Sequence, residues 1–417
     1  MRVDGLEIWA SPEPTVARID ARRVRDQLAE TGHEKRSGDV ARLASLGVGA
    51  TRYPILWEKV APDAPDALDL RWAEERMRLL AAHALEPIVT LVHHGSGPRY
   101  TGLLDPLFPQ LLASYARAVA RRFPWVRRWT PINEPLTTAR FSTLYAVWYP
   151  NRFFDHEAFG RAVVNEALAI QEAMRAIREV IPDAQLVLTE DLQGFRAADA
   201  AVAEYVAHKS ERRFLSAELV MGRVDETHAL WPYLTETCAV PERDLAALRW
   251  FATPVDLMGW NYYPFSERVL FSDGPGRHRN AGLVEVDPAQ LDCAARLREA
   301  AQRLRVPVCL SEVHCIGDER ERARWMLQRF DDVLQLRAEG VDVRAFGAWA
   351  AFGMVDWPSL LCREEAFCED GIFTCAGDGG EPQATLVADV VRDLAAGRTP
   401  RMPVTPGWWE RPDEAVA

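Results

Sequence analysis

Eight short apolar or β-branched runs recur along this chain with amphipathic segments between them, and that alternation constrains the fold more than any other feature. The runs fall at residues 6–10, 48–53, 87–92, 128–133, 185–189, 255–260, 306–311 and 343–349. Each is too short for a helix and most are followed by loop-forming residues, so each reads as a strand. The intervening segments carry helical periodicity. In 109–123, Leu111, Tyr115, Val119 and Phe123 lay an apolar stripe along one face, and in 163–181, Val164, Leu168, Met174, Ile177 and Ile181 do the same. Strand and helix alternating eight times, with strands apolar enough to be buried on both faces, predict an α/β fold, a closed (β/α)8 barrel. A chain of 417 residues exceeds the usual single core, and one large barrel over residues 1–397 accounts for it better than two domains. The remainder, 398–417, holds four prolines and cannot be a long helix. It is either a strap docked by Trp408 and Trp409 or a linker toward a further domain.

Composition excludes several classes of function. No apolar run reaches the roughly 18 residues of a membrane span, and the first residues lack a basic stretch followed by an apolar one. No membrane and no secretory signal are expected, and the cytoplasm is the default location. A net charge of −12 repels nucleic acid and anionic lipid. Seven scattered cysteines make no disulfide framework, and Cys362, Cys368 and Cys375 are too widely spaced for a zinc knuckle. His93 and His94 are adjacent and, on a strand, would point to opposite faces. No Gly-x-Gly-x-x-Gly follows a strand. Neither a metal nor a cofactor is expected, and the sequence leaves the oligomeric state open.

In a parallel barrel the strand ends converge on one face, where such folds keep their chemistry. The residues delivered there are unusually polar: Arg52, His93, His94, Asn133, Glu134, Glu190, Asp191, Asn261, Tyr263 and Glu312, with Trp349, Asp356 and Trp357 after the last strand. Glu134 and Glu312, at the ends of the fourth and seventh strands, suit glycoside hydrolysis. One carboxylic acid protonates the leaving oxygen and one carboxylate attacks the anomeric carbon. The two must differ in ionisation. Arg52 and the Tyr263 hydroxyl are placed to keep Glu312 charged, and that charge favours the protonated form of Glu134. Lone strand-end glutamates are also commonly loop salt bridges, so spacing alone leaves both readings open. Trp148, Trp349 and Trp357 are candidates to pack on sugar rings, whereas Trp57, Trp125 and Trp250 read as core. The long segments 134–162 and 261–302 are expected to crowd the mouth.

Five segments in the right order resemble glycoside hydrolase family 1. "WTPINEPL" is similar to the family's Thr-x-Asn-Glu-Pro acid/base segment, and "VPVCLSEVH" to the strand carrying its nucleophile. "VDLMGWNYYP", "TRYPILWEKV" and "VTLVHHGSGP" resemble its Asp-Phe-x-Gly-x-Asn-Tyr-Tyr, Tyr-Arg-Phe-Ser-x-x-Trp and Thr-Leu-x-His-Trp-x-x-Pro segments. The resemblance implies a retaining hydrolase with Glu134 as acid/base and Glu312 as nucleophile, the carboxylates about 5 Å apart. It further implies Arg52 and Tyr263 beside the nucleophile, Asn261 as support from the sixth strand, and His93 and Asn133 as hydrogen-bond partners of the sugar.

The departures are informative too. Glu13 stands where the family has a sugar-gripping Gln, and Asp356-Trp357 where it has Glu-Trp. His94 replaces a Trp, and Val313-His314 replace the nucleophile's Asn-Gly neighbours. A carboxylate in place of an amide removes donors and adds charge, and a site that no longer pairs particular hydroxyls loses those substrates. A carbohydrate or glycoside is the expected partner, with common β-glucosides and β-galactosides poor substrates. A transglycosidase with the same pair and a non-catalytic carbohydrate-binding barrel are the alternatives. A phosphate-sugar enzyme would need "GDGGEP" at 377–382 as a phosphate nest, and that stretch reads as a turn.

Overall fold

The computed structural model describes residues 2–3, 5–272, 284–287 and 290–411. Eight parallel strands form the barrel: β1 Leu6–Ala10, β2 Ala50–Pro54, β3 Glu86–Val92, β4 Arg128–Ile132, β5 Gln185–Asp191, β6 Leu257–Tyr262, β7 Val308–Val313 and β8 Val343–Ala348. Consecutive strands pair in parallel, and β1 pairs with both β8 and β2, so the sheet closes and leaves no edge. Each expected strand is present. The bounds differ most at β6 and β7, each set two residues later at both ends, and β5 runs on through Glu190 and Asp191 because these pair with Trp260 and Asn261 of β6. An apolar-run criterion stops before such polar residues.

The lumen is filled, not open. Trp9, Ala50, Ile88, Val187, Leu257, Cys309 and Ala345, one from each strand but β4, form a single buried cluster. From β4, Arg128 lies 5.5 Å over the Trp9 ring and donates to Glu7 and Glu86 at 2.7 and 2.8 Å. Packing is equally tight higher up. A Cβ at Gly259 of β6 would fall 2.7 Å from Ser311 Oγ and 2.8 Å from Thr189 Cγ2, so only glycine lets β5 and β7 bring those two hydroxyls inward.

Helices around the barrel include α1 Arg71–Ala82, α2 Phe108–Arg122, α3 Pro135–Thr143, α4 His156–Arg178, α5 Ala203–Arg212, α6 Cys293–Leu304, α7 Glu319–Ala338 and α8 Leu386–Ala395. The predicted stripes on α2 and α4 face inward: Tyr115, Val119, Met174 and Ile177 are all buried. Burying such side chains is worth roughly 1.5–3 kcal/mol each. None of the helices among the described residues is long and apolar enough to cross a membrane.

Two tryptophans depart from expectation. Trp57 is core, but Trp125 is 43% exposed and Trp250 84% exposed. Trp125 sits in the turn before β4 and Trp250 ends a helix, positions where residue type does not report the face. The described part of the tail lies against α7. Trp408 and Trp409 are both buried; Trp408 Nε1 donates to the Ile316 carbonyl and Trp409 Nε1 to Gln328, each at 2.9 Å. Residues 412–417, and 273–283 with 288–289 of the long segment 261–302, lie outside the described residues.

Candidate active site

Glu134 follows β4 in a left-handed conformation, φ 46° and ψ 58°, as the N-cap of α3. Pro135 occupies the first helical position, where a missing N–H is harmless. A non-glycine residue in this region costs about 1–2 kcal/mol, strain that persists only where its surroundings over-determine it. Here β4 and α3 fix both neighbours. The free amides of α3 are occupied by Glu190 of β5, which accepts from Leu136 N at 2.8 Å and Thr137 N at 3.3 Å, and from the Thr137 and Ser216 hydroxyls at 2.8 and 3.1 Å. Glu190, at the end of an expected strand, is thus the cap of the helix that holds Glu134 in place.

A continuous network links Glu134 to Glu312. Arg52 of β2 donates through Nη1 to Glu312 Oε1, and Tyr263 Oη donates to Glu312 Oε2 at 2.5 Å. Arg52 Nη2 donates to Asn133 Oδ1 at 2.6 Å, which also accepts from Thr189 Oγ1 at 2.8 Å. Asn261 Nδ2 donates to Glu134 Oε1 at 2.7 Å, and its own carbonyl accepts from Ser311 Oγ at 2.6 Å. Asn261 lies opposite Glu312 in the strand register, and its side-chain amide reaches across to hold Glu134. The register between β6 and β7 shifts here by one residue, a bulge at Ser311 of β7 that brings Glu312 opposite Asn261.

The two carboxyls differ in what surrounds them. Burial pushes Glu134 well above the ordinary carboxylate range, and the nearby charges of Asp191, Glu312 and Glu190 push it further, against Asn261 alone. Burial pushes Glu312 up as well, but the Arg52 charge and the hydrogen bonds from Tyr263 and Arg52 oppose it. Of the two, Glu134 is the one held protonated.

His93 and His94 do not diverge as adjacent strand residues would. They lie past the end of β3, their rings 4.8 Å apart, and both Nε2 atoms face Asn133 Nδ2, at 3.3 and 3.4 Å. Burial pushes both down, His94 to about 3, so both are neutral and each presents an unprotonated Nε2 to the amide. Among the described residues no group of His, Cys, Asp or Glu is arranged to hold a metal ion.

A cavity of about 610 Å³ opens over these residues, and its wall includes Glu13, His94, Glu134, Glu312, Trp148, Trp357 and Asp191. Arg52, His93, Asn133, Asn261 and Trp349 are not among its described wall residues and stand behind it. Trp349 stacks on His93 at 5.5 Å and donates from Nε1 to Glu13 Oε2 at 3.2 Å. Glu13 also accepts from Thr15 N at 2.9 Å. Burial and the charge of Glu312 push Glu13 up to about 7, so near neutral pH it is partly a hydrogen-bond donor.

Asp356 does not reach the cavity. Its carboxylate takes Arg25 at 2.9 Å and the amides of Glu365, Ala366 and Phe367 at 2.8–3.2 Å, in a left-handed turn with φ 57°. It organises the loop after β8, while Trp357 beside it lines the cavity. In that part of the wall stands Glu369, which the sequence did not single out; its Oε1 lies 2.6 Å from His314 Nε2, and His314 Nδ1 lies 3.1 Å from the Trp349 carbonyl. The 377–382 stretch is an outer turn: the Gly377 carbonyl accepts from Arg36 at 2.7 Å, and Asp378 pairs with Lys35 at 2.6 Å.

Comparison with known proteins agrees with this geometry. Residues 5–278 match the family described as Glycosyl hydrolase family 1. The chain belongs to that family. Among relatives of glycosyl hydrolase family 1, a 6-phospho-beta-galactosidase of Lacticaseibacillus rhamnosus is 24% identical over 54% of this chain and 51% of its own. Beta-glucosidase A of Thermotoga maritima is 23% identical over 62% of this chain and 59% of its own. The chain spans about half the length of the curated relatives it matches. A solved family 1 β-glucosidase from Thermotoga maritima superimposes with a TM-score of 0.77 at 16% identity, covering 95% of this chain and 99% of that one, which establishes the shared fold.

Proposed function

We propose that this family 1 chain is a retaining glycoside hydrolase, cleaving a β-O-glycosidic bond by double displacement. Glu312 attacks the anomeric carbon, and Glu134 protonates the departing oxygen and then activates water. The reading rests chiefly on the contrast between a carboxyl bound by Arg52 and Tyr263 and one set among other carboxyls. The nucleophile needs its charge before attack, and the acid needs its proton. Hydrogen bonds that orient Glu312 keep its free lone pair on a line to substrate. The family name favours a glycoside, and the relatives' names favour a sugar in β linkage.

Trapping tests the assignment. Incubation with a panel of 2-deoxy-2-fluoro β-glycosides bearing good leaving groups is expected to add one glycosyl mass to Glu312, located by peptide mass spectrometry. An adduct on another residue, or none across the panel, overturns it.

The substrate reading follows from the altered wall. With Asp356 committed to its loop, Glu13 and Glu369 are the carboxyls left to grip the sugar away from the reacting bond. Plain β-glucosides and β-galactosides are expected to turn over poorly, and a sugar bearing an amine or an unusual hydroxyl pattern well. Comparable turnover of a plain aryl glucoside, unchanged by Glu13→Gln, sinks this part of the proposal.

A further inference from the structure

Around the barrel, β5 lies diametrically across from β1, so Asp191 and the segment after β6 face the cavity from the side opposite Glu13. If the sugar sits against Glu13 and Glu312, its leaving group passes Glu134 toward that far side. The far wall carries Thr137 and Phe141 of α3, Asp191, Phe265 and Arg268. The Arg268 side chain has no hydrogen bond and no ion pair among the described residues, and Asp191 acts on it only at longer range. A guanidinium presents five N–H donors, and leaving them unmatched beside a cavity is unfavourable.

Arg268 is not alone. Arg140, fully buried on α3, donates to Thr137 Oγ1 at 2.9 Å and to the Leu136 carbonyl at 3.3 Å, but its Nη1 is buried without a hydrogen-bond partner among the described residues. Lys209 of α5 is buried behind it. Its hydrogen-bond contact is Tyr145 Oη at 3.3 Å, and its ammonium lies 4.6 Å from the Phe195 ring. Arg212, one turn on, is buried as well. Four basic side chains therefore cluster where two carboxyls, Asp191 and Glu190, are at hand, and burial with the neighbouring arginines pushes Lys209 down to about 7. Glu190 is already engaged in capping α3, and burial pushes it up to about 7. Tyr145 is pushed well below the ordinary phenol range by Lys209, Arg212 and Arg140 in spite of its burial, the response expected where positive charge is in excess.

We propose that this wall is an anion-binding leaving-group subsite, in which Arg268, backed by Arg140 and Lys209, receives a carboxylate or phosphate on the group that departs. The planar fork of Arg268 suits either anion in a bidentate pair, and the cations behind it raise the local potential without needing contact. The proposal rests on the glycosidase reading for where the leaving group lies, but its test does not depend on turnover.

Ligands are made as pairs on several β-linked sugars, each sugar carrying either a 4-carboxyphenyl or an isosteric 4-carbamoylphenyl group, with a third arm carrying 4-phosphonooxyphenyl. Binding is measured by calorimetry to the full chain with Glu134→Gln, so that ligand is not consumed, and the carboxylate-to-amide affinity ratio cancels the contribution of the sugar. The ratio is expected to be about 10- to 100-fold, as for a charge-assisted pair. It should collapse to about unity when Arg268→Gln is added, and partly return with Arg268→Lys. The phosphate arm shows which anion the wall prefers. A ratio near unity without the Arg268 substitution, a ratio that survives Arg268→Gln, or no binding of any anionic member overturns the subsite. If the ratio holds while the unsubstituted enzyme hydrolyses none of the compounds, the subsite stands and the hydrolase reading falls.

Discussion

Glu312 and Glu134 are both buried at the mouth of one barrel, yet their neighbours are of opposite kinds. Glu312 has a guanidinium and a phenol, one on each oxygen. Glu134 has one amide and three carboxyls in electrostatic reach. Burial alone drives both toward the neutral acid, so the division of labour comes from partners and not from depth. The fold supplies the difference through register: Arg52 and Tyr263 come from β2 and the end of β6, whereas Asp191 and Glu190 come from β5, next to β4.

The strongest way to break this comparison is to remove each glutamate and vary the leaving group. Glu312→Ala should lower kcat/KM by about 10⁴-fold or more on every aryl glycoside, because no leaving group replaces a nucleophile. Glu134→Gln should lower it by about 10²- to 10⁴-fold on poor leaving groups and far less on dinitrophenyl glycosides, which depart unprotonated. Steady-state kinetics over a leaving-group series distinguishes the two. Parallel losses for both variants would mean that the two carboxyls do not divide acid from nucleophile.

A smaller effect sharpens the acid side alone. The Asn261 amide is the group that favours the ionised form of Glu134, so removing it should make the proton harder to lose. In Asn261→Ala the alkaline limb of kcat/KM should move to higher pH, by about one unit if the bond has the strength usual for a charged acceptor. A limb that stays put or moves down contradicts the assignment of Glu134 as the acid.

How much of this was legible in the sequence depends on whether a residue acts through its own strand or through a neighbour's. The eight strands were readable because parallel-barrel strands are buried on both faces and so are apolar throughout. Their ends gave Arg52, Asn133, Glu134, Tyr263 and Glu312 as a set. Asn261 lies opposite Glu312, but that its amide turns to Glu134 was not legible, since a one-residue bulge at Ser311 of β7 leaves no trace in composition. Asp356 was counted as a sugar ligand because an ungapped alignment past Trp349 does not register a left-handed turn, whose amides then use up the carboxylate. Glu369, Arg140, Lys209 and Arg268 went unnoticed because they lie on helices and short strands outside the barrel, at positions that no barrel-strand pattern marks. A run such as "SER" at 266–268 looks like an ordinary surface stretch.

The carboxyl excess on the Glu134 side extends back into the protein and sets up the smallest of these effects, on stability. Glu166 of α4 is fully buried, neither of its oxygens has a hydrogen-bond partner among the described residues, and burial plus the charge of Glu190 push it well above the ordinary range. An acid whose folded value is raised stabilises the fold fully only below its unfolded value, about 4.3, and that contribution is lost as pH rises through the folded value. The amide of Glu166→Gln cannot ionise, so it escapes the loss. The variant should therefore match the unsubstituted protein near pH 4 and be more stable at pH 8, by on the order of 1 kcal/mol, or about 2 °C in Tm. Calorimetric scans at the two pH values check this. A gap of equal size at both, or one that favours the glutamate at pH 8, would place a compensating charge on Glu166 and weaken the contrast between the two sides of the mouth.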